Sequence, residues 1–366
     1  MNKLPNGWKI KTLSEVCSPS SSNIAFKDVK DKKGDYPIYG ASGIVAYSDL
    51  YSKEKECIGI VKDGSVGKIF LLPAKSSVIS TLNYLENFDN LDIKYLYYFL
   101  HCINFGQYIK GSVIPHIYFR DYKKEKIPLP PLAIQKQIAE KLDYLFDKID
   151  KALTFLKENK EYIKKYRLSI LKYAFEGKLT PSSKNWETKT LGEVCEKISA
   201  GGDRPNDCTP AKTEENQIPI FSNGIENNGL YGYTKTPTIT KPALTVSARG
   251  TIGFTCVRYE PFFPIVRLIC AIPNDKILYL EFLFYTLKYL IPQGEGSTIP
   301  QLTIPNFKQI KIPIPNIETQ KEIVSILDKK FKAMDEIERL NNENIENLLL
   351  LKKSLLKEAF SWKITP

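Results

Sequence analysis

The stretch IQKQIAEKLDYLFDKIDKALTFLKENKEYIKKYRLSILKYAF, residues 134–175, contains neither glycine nor proline and predicts one long helix. Apolar side chains recur along it at steps of three and four residues, with Asn159 in the one skipped position. They are Ile138, Leu142, Leu145, Ile149, Ala152, Leu156, Ile163, Tyr166 and Ile170. Such a heptad seam faces a partner helix along its whole length, and a polar residue within it fixes the register.

The partner helix is predicted within the same chain, because IETQKEIVSILDKKFKAMDEIERL (317–340) and SLLKEAF (354–360) repeat the first stretch. The matched pairs are Gln135 and Gln320, Lys136 and Lys321, Ile138 and Ile323, Leu142 and Leu327, Asp143 and Asp328, Phe146 and Phe331, Asp150 and Asp335, and Asn159 and Asn344. The second copy has Lys330 and Asn341 where the first has Leu145 and Leu156. We therefore expect looser packing of its seam.

The rest of the chain is duplicated too. WKIKTLSEVC from Trp8 matches WETKTLGEVC from Trp186, and KDGSVGK (62–68) matches ARGTIGF (248–254). GSVIP matches GSTIP, and KIPLP matches KIPIP. Each copy is rich in short apolar runs separated by Gly, Pro, Asn and Ser turns, and its proline-rich end delivers the chain to a helix start.

These repeats predict an α+β fold. Two tandem globular domains of mixed strands and short helices are expected, separated by two long antiparallel helices that form an intramolecular coiled coil with pseudo-twofold symmetry. The predicted segments are a first globular domain at 1–130, a central long helix at 131–178, a second globular domain at 179–315 and a C-terminal long helix at 316–366.

Composition limits the function classes. The 366 residues carry a net charge of +11, which suits a surface that meets phosphates, although charge alone leaves DNA binding at even odds. The apolar runs are too short for a membrane span, and seven cysteines without a CxxC pair suit a reducing compartment. We expect a cytoplasmic protein that does not associate with membranes.

The sequence shows almost no catalytic motif. KDGSVGKI lacks the first glycine and the final Ser or Thr of a phosphate-binding P-loop, and only two histidines, His101 and His116, are present. No zinc signature, GxSxG or HExxH occurs. A metal site, a cofactor and a catalytic residue are therefore not predicted.

Turns that could read DNA remain, since amide, hydroxyl and basic groups at turns suit base edges and phosphates. The alternative is that the glycines only form the turns. The candidate DNA contacts are Tyr39, Ser42, Lys62, Ser65, Lys68, Lys110, Ser112 and His116 in the first copy, and Arg204, Ser222, Asn223, Arg249, Thr251, Ser297, Thr298 and Gln301 in the second.

The repeated WxxxxLxEVC, GSxIP and IPxP segments, with a long helix ending in AFxxKxTP, closely resemble the DNA-specificity subunit of type I restriction-modification systems. The resemblance covers essentially the whole chain. It implies two target-recognition domains that each read one half of a bipartite, asymmetric double-stranded DNA site, with the paired helices as a ruler. It also implies no catalysis by the chain itself.

The same resemblance implies partners. Two modification (methyltransferase) subunits would bind S-adenosylmethionine and methylate adenine, and restriction (ATP-dependent nuclease and translocase) subunits would join for cleavage. Gln135, Lys136, Gln320 and Lys321 are candidate partner contacts.

The alternative functions are a coiled-coil scaffold with weak or non-specific DNA binding and, less favoured, a nuclease or methyltransferase.

Overall fold

The computed structural model describes residues 6–111, 113–180, 186–291, 294–295 and 302–361. The chain divides into two compact units. Unit 1 comprises residues 1–157 and 342–366, and unit 2 comprises residues 158–341. Each long helix therefore contributes residues to both units. These two units do not coincide with the four segments predicted from the sequence. The functional roles of those four segments stay a prediction.

Unit 1 contains nine strands and the parts of two long helices, together with three short helices. The strands are β1 (Lys9–Thr12), β2 (Cys17–Ser21), β3 (Tyr36–Gly40), β4 (Gly43–Ser48), β5 (Cys57–Val61), β6 (Ile69–Leu72), β7 (Ser77–Val78), β8 (Leu82–Asn87) and β9 (Lys126–Leu129). The helices are α1 (Leu13–Val16), α2 (Ile93–Leu100), α3 (Phe119–Tyr122) and the first part of α4 (Leu132–Phe175), with 3-10 turns at Phe26–Asp28 and Phe105–Tyr108.

The strands of unit 1 form three sheets. Antiparallel strands in the order β2-β8-β5-β6 form the largest, β4-β3-β7 form a second, and β1 pairs with β9. All five residues of β5 are buried, as expected for a central strand covered on both faces. Tyr95, Leu96 and Leu100 of α2 pack into the same core as α4.

Unit 2 repeats this arrangement. Its strands are β10 (Glu187–Thr190), β11 (Cys195–Ala200), β12 (Ile218–Phe221), β13 (Leu230–Thr234), β14 (Ala243–Val246), β15 (Thr251–Ile252), β16 (Thr255–Arg258), β17 (Phe263–Pro264), β18 (Ile269–Pro273), β19 (Gly294–Glu295) and β20 (Lys311–Ile314). Its helices are α5 (Leu191–Val194), α6 (Leu280–Leu290), α7 (Ile304–Lys308), the second part of α4 and the first part of α8 (Ile317–Phe360), with a 3-10 turn at Glu226–Gly229.

The sheets of unit 2 confirm the duplication. The orders β11-β18-β14-β16 and β13-β12-β17 reproduce those of unit 1, and β10 pairs with β20 as β1 pairs with β9. A short β15-β19 pair is added. The predicted fold class, two tandem domains of mixed strands and helices with two long helices, is confirmed.

The repeated TLxEV sequence is a helix start in both units. The hydroxyl oxygen of Thr12 and the carboxylate of Glu15 form a capping box at α1, and Thr190 and Glu193 do the same at α5. Hydrogen bonds from Lys11 and Thr12 hold the pKa of the Glu15 carboxyl at about 2. The matched sequence thus encodes the same local turn twice.

Both long helices contain 44 residues; α4 begins directly after Pro131, and α8 begins two residues after Pro315. Most of the predicted seam of α4 is buried, including Ile138, Leu142, Ile149, Ile163 and Ile170. Tyr166, however, is 53% exposed, so its place in the seam is wrong. The neighbouring Arg167 is directed inward instead. Its guanidinium lies over the Phe331 ring, 5.2 Å from the centroid.

The predicted position of Lys330 in the second seam is also wrong. Lys330 is exposed, and the next residue, Phe331, is buried in its place. Asn341 is buried as predicted, and its amide oxygen accepts a 3.4 Å hydrogen bond from Asn159 in unit 2. A buried asparagine in a helix seam favours one register over alternatives.

Across the described ranges, no helix is both long and apolar enough to cross a membrane. The same residues contain no group of three or more His, Cys, Asp or Glu side chains arranged to hold a metal ion.

Candidate nucleic-acid interface

Three loops of unit 1 that carry predicted DNA contacts are held together by hydrogen bonds. Gly64 N–H donates to the Pro115 carbonyl (2.9 Å), and Ile117 N–H donates to the Lys62 carbonyl (2.9 Å). The Lys68 ammonium donates to the carbonyl of Ala41 (3.2 Å) in the β3-β4 turn. The structure therefore brings the 41–43 and 62–68 turns and the 113–117 segment to one place, as a shared binding surface requires.

The predicted DNA-contacting side chains on this surface differ in exposure and in whether their charge is paired. Ser42, Ser65 and Lys68 are exposed. Lys62 lies 3.7 Å from the Asp63 carboxylate, and Lys110 forms a 2.8 Å ion pair with Asp121. Lys68 is thus the lysine of this set whose charge has no acidic partner within the described residues.

The two aromatic candidates are partly used in packing. Tyr39 is half-buried, and the centroid of its ring lies 6.0 Å from the centroid of the Phe70 ring. Burial raises the pKa of the Tyr39 phenol. The His116 ring lies 5.0 Å from the ring of the exposed Tyr118. Backbone hydrogen bonds between Lys110 and His116 close the base of this loop (2.8 and 2.9 Å).

The matched glycines of the two repeats explain why KDGSVGK and ARGTIGF recur. Gly64 and Gly67 have φ of 79° and 81°, and Gly250 and Gly253 have φ of 67° and 83°. Only glycine adopts this region without strain. The glycines do form the turns, and the turns present Ser65 in unit 1 and Arg249 in unit 2.

In unit 2, the side chain of Asn223 joins two of the loops. Its amide nitrogen donates to the Val266 carbonyl (2.6 Å), and its amide oxygen accepts from Ala248 N–H (2.9 Å). Ser222 N–H closes the intervening loop on the Gly229 carbonyl (2.8 Å), beside a groove of about 310 Å³. Asn223 therefore fixes the surface on which the predicted Ser222 and Arg249 lie.

Two basic residues lie next to residues that line this groove. Arg204 and Arg249 are exposed, and a hydrogen bond to Tyr231 raises the pKa of the Arg204 guanidinium. Thr251 is half-buried and its hydroxyl oxygen lies inside the unit, so the prediction that this hydroxyl contacts DNA is wrong. Hydroxyl and guanidinium groups on linked loops are suited to phosphates and base edges.

Two arginines that sequence reasoning missed belong to the same region. Arg258 lies 3.6 Å above the Phe221 ring centroid and donates to the Asn228 carbonyl, so it braces the Glu226–Gly229 turn. Asn227 and Asn228 there have positive φ. Arg267 is exposed on the loop that Asn223 holds. Neither has a local sequence signal, because strand pairing between distant segments places both.

Four predicted contacts, Ser112, Ser297, Thr298 and Gln301, lie outside the described residues.

The structure corrects the partner-binding prediction for Gln135 and Gln320, which are 1% and 0% exposed. The Gln135 amide accepts from Asp92 N–H (2.9 Å) and donates to the carbonyls of Asn90 (3.0 Å) and Pro130 (2.8 Å). Gln320 makes the same three bonds to Tyr279, Ile277 and Pro315. The glutamine recurs because it fastens each helix start to its own unit. Lys136 and Lys321 are exposed, and their partner role stays a prediction.

Replacement of Gln135 by alanine should destabilise the protein by about 3 kcal/mol, because it leaves buried backbone groups without hydrogen bonds. The exposed Gln137 on the same helix provides the matched control, and its replacement should change stability by less than about 0.5 kcal/mol. Urea unfolding of both variants measures the difference. Equal midpoints for Q135A and Q137A would contradict the fastening role.

A second matched cluster holds the long helices together in each unit. In unit 1, the Tyr98 hydroxyl donates to Asp143 (2.5 Å), and Lys352 pairs with Asp150 (2.5 Å) over the Phe146 ring. In unit 2, the counterparts are Tyr285 with Asp328 (2.6 Å) and Arg167 with Asp335 (2.6 Å) over Phe331. The recurring aspartates are thus hydrogen-bond and ion-pair partners, and burial together with these carboxylates raises the pKa of both tyrosines.

Two copies of one unit that present different polar and basic loops, each completed by paired long helices, define a modular nucleic-acid recognition subunit. The chain belongs to the family of the type I restriction modification DNA specificity domain. The family model matches residues 5–165 and again 183–347. The methylase and restriction activities of such systems lie on other subunits, so the chain is a specificity subunit and not an enzyme.

Known proteins are similar over most of the chain. Two proteins of Mycoplasma pneumoniae carry the name type I specificity subunit. One is 27% identical over 88% of this chain and 88% of its own, and the other is 32% identical over 67% and 73%. A solved chain from work on assembly and conformational transition of the type I R-M system has a TM-score of 0.78 at 20% identity, covering 100% of both chains. That likeness supports the fold.

Proposed function

We propose that the chain recognises a bipartite, asymmetric double-stranded DNA site and directs a methyltransferase to it. The observation that carries this proposal is that the two units share one topology but differ in their loops. Unit 1 places the exposed Ser65 and Lys68 on the loop where unit 2 places the exposed Arg249. Because side chains at loops determine base readout, two different loop sets read two different half-sites.

We further propose that the long helices bind two modification subunits. Exposed apolar side chains on the helices support this, since such groups mark interaction surfaces when they occur together. In unit 1, these are Tyr144 and Phe155 of α4 and Leu349, Leu350 and Leu351 of α8; in unit 2, Tyr162, Tyr166 and Tyr173 of α4 and Ile337 and Leu340 of α8. The exposed Lys136 and Lys321 would add polar contacts.

In this proposal the chain itself holds no cofactor. The modification subunits bind S-adenosylmethionine and methylate adenine, and restriction subunits join the complex for cleavage. The complex acts in the cytoplasm, where cellular DNA is accessible and the seven cysteines, all unpaired in the structure, stay reduced.

Methylome sequencing tests the proposal. Cells that express the chain with its partner methyltransferase should show an adenine-methylated motif of two half-sites separated by unspecified bases, and this motif should vanish when the chain is omitted. Soluble complex without any methylated split motif would contradict the proposal. It would favour a scaffold that binds DNA weakly, whose affinity would fall with salt equally for every sequence.

A further inference from the structure

The loop between β17 and β18 in unit 2 holds two consecutive residues in the left-handed region. Val266 has φ of 54° and Arg267 has φ of 59°. For a β-branched residue such as valine this conformation is a true outlier. Strained backbone persists only where the surrounding structure determines it, and such positions concentrate at functional sites.

Hydrogen bonds from two other loops impose the strained conformation. Val266 N–H donates to the Gly202 carbonyl (2.8 Å), and Arg267 N–H donates to the Gly201 carbonyl (2.9 Å). The Asn223 amide donates a hydrogen bond to the Val266 carbonyl. Gly201 packs closely against the loop, since a Cβ atom at this position would lie only 2.6 Å from the backbone nitrogen of Ile265. The backbone of the loop is therefore fixed before any ligand arrives.

The side chains at the tip of this loop point away from the unit. Ile265 and Leu268 on either side are buried, whereas Val266 is 48% exposed and Arg267 is exposed. The Arg267 guanidinium forms no ion pair or hydrogen bond with the residues that the structure describes. The unit thus fixes the backbone of two residues whose side chains it does not use for its own stability.

The corresponding loop of unit 1 shows that the fold does not require this strain. Ile79 N–H donates to the Tyr39 carbonyl as Ile265 N–H donates to that of Phe221, both at 2.9 Å, so Ser80 corresponds to Val266. Neither Ser80 nor Thr81 has a positive φ. The left-handed pair is therefore particular to unit 2, as expected of an element that distinguishes one half-site from the other.

We propose that Val266 and Arg267 form a base-reading tip that helps to set the half-site recognised by unit 2. This inference rests on the proposed function. Arg267 would donate to a guanine edge in the major groove, and Val266 would make apolar contact with an adjacent thymine methyl group. Arg204 and Arg249 on the neighbouring loops would position the DNA through its phosphates.

The test compares the DNA affinities of variants of the full chain in complex with its partner methyltransferase. One duplex contains the motif that the wild-type complex methylates, and the other has a random sequence. R267A should weaken binding to the specific duplex about tenfold, with less than about a twofold change for random duplex. The methylome of this variant should show relaxed bases in one half-site only. R267K should retain random-duplex affinity yet show the same relaxation, because an ammonium does not reproduce bidentate donation.

V266G separates readout from folding. Glycine relieves the positive φ, so the melting temperature should stay equal or rise while the same half-site relaxes. K276A, which removes one positive charge from the exposed turn after β18, is the matched control and should leave both half-sites unchanged. Unaltered base preference in R267A, or equal losses on both duplexes, would overturn the inference. A wild-type complex without any sequence preference would instead reject the proposed function, and the inference with it.

Discussion

Deletion of one heptad from each long helix should shorten the spacer between the two half-sites by about three base pairs. Seven helical residues span about 10 Å, and B-DNA rises about 3.4 Å per base pair. Residues 152–158 of α4 and 342–348 of α8 are suited to this, because the deletion retains the Asn159–Asn341 pair and the Asp150–Lys352 ion pair. A whole heptad keeps the seam on the same face.

The half-sites themselves should not change, since the deletion leaves every recognition loop intact. Methylome sequencing reports both quantities in one experiment. Deletion of two residues from each helix is the control, because it rotates the seam by about 200°, away from its partner, and should abolish methylation. A shortened variant that methylates the original spacer would show that the helices do not set the distance.

The long helices were predictable because their signal is local and repeated. The heptad spacing, the flanking prolines and the absence of glycine place α4 within two residues of its predicted start. The error at Tyr166 arose because a seam of regular steps cannot show that Arg167 has Phe331 and Asp335 as partners. Those contacts come from a segment far away in the chain.

The candidate sites were less predictable, for the same physical reason. A glutamine in the first turn of a helix normally faces water, and nothing near Gln135 indicates that Asn90 and Asp92 will enclose its amide. Likewise, valine is a poor residue for positive φ, so no turn rule points to Val266. Only the tertiary hydrogen bonds of Gly201 and Gly202 reveal that loop.

Residues 1–180 expressed alone should form a homodimer and not a folded monomer. The core of unit 1 is completed by Leu356, Ala359 and Phe360 of α8. At the matching positions, Leu171, Ala174 and Phe175 of α4 complete the core of unit 2. In the half-chain, Leu171, Ala174 and Phe175 of a second copy can take the places left vacant by α8, and Arg167 can take the place of Lys352. A monomer of the half-chain would expose the apolar core that α8 covers in the full chain, and it would therefore be unstable. In a dimer, each copy would cover the exposed core of the other.

Analytical ultracentrifugation measures the state of the half-chain, and a methylome with the partner methyltransferase measures its specificity. The expected site is an inverted repeat of the half-site that unit 1 reads, because both recognition units would now be identical. F175D should prevent dimerisation, since it places a charge in a buried core, while Y173D on the exposed face of the same helix turn should not. A folded monomer at micromolar concentration would show that the helices of one repeat do not need those of the other, and the exchange of core residues between repeats would then be dispensable.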